Sequence, residues 1–263
     1  MTAYPYVLTD SATMLRRNLR RMRRYPSLTI FIAGIPVVLL LLFVFVFGGA
    51  LGAGLGAVAG GREAYIAYVV PGILLITVAG AAQGTAISVA MDMTEGIIAR
   101  FKTMDIARVS VLTGHVVGSV IQTLLAIGIV MVVAVLIGFR STTGPLEWLA
   151  AAGLLAFTAV AISWLAVGLG MSSGSVENAS NTPMFLILLP FMSSGFVPTG
   201  SMPDGLSWFA EHQPFTPLIE TVRGLLLGTP IGNDGIVSIG WCVLISVASY
   251  LWARRLYDRP PRT

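Results

Sequence analysis

The chain has 263 residues, of which 56% are hydrophobic and 11% charged, where soluble domains carry about 25% charged residues. That is too little charge to coat a water-soluble core, so a soluble domain is excluded. The net charge of +4 does not mark a nucleic-acid partner either, because the basic residues flank apolar spans instead of forming a stripe with stacking aromatics.

Residues 1–27 read as a cytoplasmic tail with its own helix. Leu8, Ala12, Leu15, Leu19 and Met22 recur at spacings of 4, 3, 4 and 3 on one helical face, and six arginines between 16 and 24 fill the rest. Such a helix lies in the membrane interface, with its apolar stripe down and its guanidinium groups among lipid phosphates. It serves equally as a topology anchor, and Pro26 ends it.

A helix needs about 20 apolar residues to cross the hydrocarbon. Six stretches qualify, at about 28–47, 65–90, 110–139, 146–171, 183–198 and 235–253. They predict an all-α polytopic membrane protein with one six-span domain over 28–253 and a basic cytoplasmic tail over 254–263. The first stretch is too long for a signal-peptide core of about 7–15 residues. The fifth is short and holds Pro190 and Gly195. None of the six cores holds Asp, Glu, Lys or Arg well inside it.

Residues 48–61, with Gly48, Gly52, Gly56 and Gly60 four apart, suit close helix contact. Gly49, Gly54 and Gly61 favour a flexible loop there. Between the fifth and sixth spans, 203–211 and 216–227 are short amphipathic pieces. Thr216 followed by Pro217 is a helix-start signal. Neither piece can span, so each either dips into the outer leaflet and returns, under a cover of protein, or lies flat on the outer surface.

The loops then alternate in charge. Thirteen Lys and Arg fall in the N-terminus, 91–109, 172–182 and the C-terminus, and three fall in 48–64, 140–145 and 199–234. Short loops rich in Lys and Arg stay cytoplasmic, so both termini are expected inside.

Several chemistries lack their residues. The only lysine, Lys102, is preceded by Phe101 where a P-loop needs glycine, so no ATPase site is expected in this chain. With one cysteine, Cys242, neither an internal disulfide nor a cysteine-cluster metal site is possible. Proton relays need intramembrane carboxylates or histidines. His115, near the inner end of the third span, reads rather as a structural hydrogen-bonder. Uncharged polar groups within the spans suit helix contacts or a weakly polar cavity. Gln83, Gln122, Thr123 and Ser163 are the candidates for a substrate path.

The loop 91–108 reads MDMTEGIIARFKTMDIAR. It resembles the loop after the second span of type-2 ABC exporter permeases, and most of all their daunorubicin-resistance branch. Asp92, Glu95, Gly96, Ile97, Arg100, Phe101, Met104, Ile106 and Arg108 match that pattern, and Asp105 stands where it has proline. A second stretch, 181–228, is similar to the same family's signature region through Pro198, Pro203, His212 to Pro217, Glu220, Arg223 and Gly224.

The resemblance implies a multi-pass permease subunit of an ATP-driven exporter in a bacterial plasma membrane, with external re-entrant helices before the last span. It implies a separate ABC ATPase subunit that binds ATP and Mg, a second permease subunit (identical or not), and a hydrophobic or amphipathic substrate. Glu95, Ile97, Ile98, Arg100, Phe101, Lys102 and Met104 would form the ATPase-coupling loop, a helix seated in a groove. A polysaccharide or lipid-linked glycan exporter of the same fold, and a carrier or scaffold without an ATPase, are the alternatives.

Overall fold

The computed structural model describes residues 26–50, 61–96 and 108–257. The N-terminal amphipathic helix over 8–25, most of the glycine-rich loop and most of the loop after the second span lie outside the described residues. Every regular element described is helical: α1 (Pro26–Leu42), α2 (Gly61–Thr94), α3 (Arg108–Leu136), α4 (Pro145–Ser172), α5 (Val176–Asn181), α6 (Met184–Phe191), α7 (Asp204–His212), α8 (Phe215–Leu227) and α9 (Asp234–Tyr257). Past Leu42, α1 continues through a wider π-helical turn at Phe43–Phe47.

Among the described residues, five helices are long and apolar enough to cross a membrane: Ile32–Ala50, α2, the Leu112–Leu136 part of α3, α4 and α9. The fifth predicted span is not a continuous helix of that length. Its helical part is α6, eight residues rising about 12 Å, followed by turns over 192–196. Pro190, which cannot donate to the helix ladder, and Gly195 stand where the helix gives out. Other helices run past the limits of the predicted spans. At 34 residues, α2 is about 51 Å long and extends past both predicted ends. α4 gains one residue at each end and α9 reaches Tyr257, so Arg254 and Arg255 lie in its last turn, where cations suit the helix dipole.

α2 is the axis of the fold. It packs against α1, α3, α4, α5, α6 and α8, and 78% of its most apolar window is buried, against 22–56% for the other four span-length helices. That environment explains why its middle, 69–82, is nearly apolar all round. The main core gathers Tyr65, Ile73, Leu74, Leu75 and Val78 of α2 with Leu154, Leu155 and Ile162 of α4 and Leu218, Ile219 and Val222 of α8.

The chain from α5 to α8 climbs beside α2. Gln83 donates to the Ser180 carbonyl at 2.8 Å, Gly72 meets Gly195, and Arg223 donates to the Tyr68 carbonyl at 3.1 Å. The Gly72 crossing is a backbone-to-backbone contact, since a Cβ there would sit 2.8 Å from the Gly195 carbonyl oxygen. Gly72→Ala is therefore expected to cost about 1–3 kcal/mol, read as a lower melting temperature in detergent. Gly153→Ala is the control. A Cβ there meets nothing within 4 Å, so its effect should be neutral or stabilising by up to about 1 kcal/mol.

α7 and α8 are the two short pieces predicted from their amphipathic pattern. α8 does not lie flat against the outside of the bundle: Phe215, Leu218, Ile219, Val222 and Leu226 are all buried among α2, α4, α6 and α9. Its start differs from the expectation. Pro214 precedes the first turn without a side-chain cap, and the Thr216 hydroxyl donates to the Ala210 carbonyl of α7. The other end is closed twice. Gly228, at φ +72°, supplies a left-handed cap, and the hydroxyls of Ser141 and Thr142 donate to the Leu226 and Leu227 carbonyls at 2.6 and 2.8 Å. The loop between α3 and α4 thus holds the end of α8.

Candidate functional site

Two polar stripes meet in the half of α2 nearer its C-terminus. On α2, Thr85, Ser88 and Asp92 recur at spacings of 3 and 4, which keeps them on one helical face. On α3, His115, Ser119 and Gln122 do the same at 4 and 3. The Thr85 and Ser119 hydroxyls stand 2.6 Å apart, and Ser163 of α4 donates to Ser119 Oγ at 3.0 Å. This buried hydroxyl cluster ties three long helices together with neutral groups, each satisfied by a neighbour.

Beside the cluster lies a cavity of about 390 Å³ between α1, α2 and α3, with Ile187 of α6 at its edge. Ile32, Ile35, Pro36, Ile76 and Ile87 supply apolar wall, while Gln83, Gln122, Ser88 and His115 supply polar groups. Among the described residues, no lysine or arginine lines it. Gly80 and Gly84 of α2 and Gly118 of α3 also face it, and the missing side chains make room where two helices run side by side. The volume lies within the range of about 300–1,000 Å³ usual for small-molecule sites.

The predicted path residues divide. Gln83 and Gln122 line the cavity. Thr123 and Ser163 do not: both are buried and serve the wall behind it. Thr123 donates to its own helix at the Ser119 carbonyl, 2.8 Å away. Gln83 also has a structural role through its bond to Ser180, which fastens α5 beside the cavity.

The sequence pattern missed a buried carboxylate. By its pattern Asp92 falls in the loop 91–108, but α2 runs on to Thr94 and Asp92 is 3% exposed. Its Oδ2 lies 3.1 Å from Nε2 of His115, which is 7% exposed. The available signal was the continuation of the Thr85–Ser88–Asp92 stripe beyond the apolar core. The pair sits next to the cavity wall formed by Met91 and His115.

Of the predicted coupling-loop residues, Glu95 is described and exposed. Its amide donates to the Met91 carbonyl at 2.9 Å, and Gly96 follows at φ +69°. The glycine of the Glu-Gly pair thus turns the backbone where α2 ends, in a conformation that L side chains rarely adopt. Ile97, Ile98, Arg100, Phe101, Lys102 and Met104 lie outside the described residues.

The ABC-2 type transporter family profile matches residues 10–227. The chain is 28% identical over 223 residues to the daunorubicin resistance ABC transporter permease protein DrrB1 of Streptomyces coeruleorubidus, which covers 84% of this chain and 76% of that protein. It is 25% identical over 247 residues, 92% of this chain and 88% of the relative, to the probable doxorubicin resistance ABC transporter permease protein DrrC of Mycobacterium tuberculosis.

Proposed function

From the premise that this chain belongs to the ABC-2 type transporter family, we propose that it is a multi-pass permease subunit that exports hydrophobic or amphipathic compounds, driven by a separate ATPase. The observation that carries the substrate class is the cavity: aliphatic walls, two amides and, among the described residues, no lysine or arginine in its lining. Apolar surface binds such compounds by burial, and the amides of Gln83 and Gln122 orient their polar groups.

The topology follows from the charge alternation, with both termini cytoplasmic. Residues 172 and 234 then lie on opposite sides, so the segment between them must cross. In this reading α5, α6 and the 192–196 turn make a broken fifth crossing beside α2, and α7 and α8 are re-entrant. The ascent from Gln83 through Gly72 to Tyr68 supports it. Irregular backbone at membrane depth is tolerated where protein covers it, and here α2 provides that cover.

The loop that starts at Glu95 is the docking segment for the ATPase, which holds ATP and Mg. A second permease subunit completes the transporter. Alternating access then exposes the cavity to each side in turn.

Vesicles that carry this chain with its partner ATPase should accumulate the amphipathic dye ethidium only when ATP is supplied. Gln122→Trp, which fills the cavity, should cut that transport at least about tenfold, equivalent to about 1.4 kcal/mol, with the partner still bound. Accumulation of the dye without ATP or a partner would point to an independent carrier. Movement of a lipid-linked glycan with no effect on the dye would point to glycan export.

A further inference from the structure

We infer that Asp92 and His115 form a clasp that passes the state of the cavity to the loop after α2. The inference rests on the transport reading of that cavity. His115 belongs to two structures at once. Its ring lines the cavity, and its Nε2 holds Asp92 Oδ2 at 3.1 Å. Asp92 lies in the last turn of α2, three residues before Glu95. The pair therefore joins the last turn of α2 to the early part of α3 and closes the base of the intervening loop.

Burial makes this link sensitive. Both side chains are nearly excluded from water, at 6% and 4% exposure. Separating a buried hydrogen-bonded pair leaves polar groups without that partner, so the pair holds one arrangement until a competing contact displaces it. A molecule seated in the cavity touches the ring directly. Any shift of the ring moves the Asp92 carboxylate or breaks the pair, and either result re-aims the end of α2. Asp92 and His115 are thus positioning residues: they act through the helix ends and the loop.

The test needs no natural substrate. In a Cys242→Ser background, Gln122→Cys is labelled with pyrene maleimide, which fills the cavity covalently. ATP hydrolysis by the assembled complex is then compared with and without the label. With the clasp intact, the label should change the rate at least about fivefold, the lower end for coupled sites. With Asp92→Asn, the labelled and unlabelled rates should converge. The double variant Asp92→Asn/His115→Gln makes both partners neutral amides and guards against misfolding by one unpaired group, and it should converge as well. A fivefold response that persists in both clasp variants overturns the inference while leaving the cavity coupled. No response in any version, clasp intact included, overturns the transport reading of the cavity itself.

Discussion

Arg223→Ala should cost about 3–5 kcal/mol of stability, enough to keep most of the chain from accumulating in folded form. Arg223 is 7% exposed and holds three parts of the fold. Its guanidinium pairs with Glu220 one turn back on α8. It also donates to the carbonyls of Tyr68 and Ser194 at 3.1 and 2.9 Å, and its Cζ lies 3.9 Å from the centre of the Tyr68 ring. The planar fork suits this multiple contact, which a lysine cannot reproduce. Truncation leaves Glu220 without its cation, and removing one member of a buried pair typically costs about 3–5 kcal/mol. The Glu220 side chain is 33% exposed, so the lower end applies to that contact. The Tyr68 stacking adds about 1–2 kcal/mol. Thermal unfolding in detergent checks the ranking, with Arg223→Lys between wild type and Arg223→Ala. An unchanged melting temperature in Arg223→Ala would remove this residue as the anchor of α8.

Phe101→Ala should weaken binding of the partner ATPase by roughly 30- to 1,000-fold. Truncating a well-buried aromatic anchor costs on the order of 2–4 kcal/mol, and each 1.4 kcal/mol is a factor of about ten in affinity. Phe101 lies five residues past Gly96, in the loop that α2 feeds. Phe101→Leu keeps most of the apolar volume and should be milder. The measurement is a pull-down with the partner ATPase, together with a check of normal membrane insertion. If Phe101 instead faces lipid, the alanine variant inserts normally and binds its partner with unchanged affinity.

Residue spacing alone made the elements of this protein legible where one solvent decides. Long apolar runs mark α1, α2, α3, α4 and α9 because hydrocarbon tolerates little else over a span, and the amphipathic pieces α7 and α8 stand within one residue of their predicted limits. The loop motif around Glu95 and Gly96 and the signature region through Arg223 both pointed to the family whose profile matches residues 10–227. Asp92 shows where that reading stopped. A carboxylate at the edge of an apolar run looks like loop until its hydrogen-bond partner is found 23 positions away at His115.

Tertiary structure alone decided the rest. It broke the fifth predicted span into a short helix and a turn, because the backbone there can rest against Gly72 of α2. It buried α8 inside the bundle, since neighbouring helices take up both its apolar face and its arginine. It also divided the polar span residues, placing Gln83 and Gln122 on the cavity and Thr123 and Ser163 in the wall behind. Helical periodicity places a side chain on a face, but only the packing of α1, α2 and α3 decides whether that face meets a neighbour or an empty space.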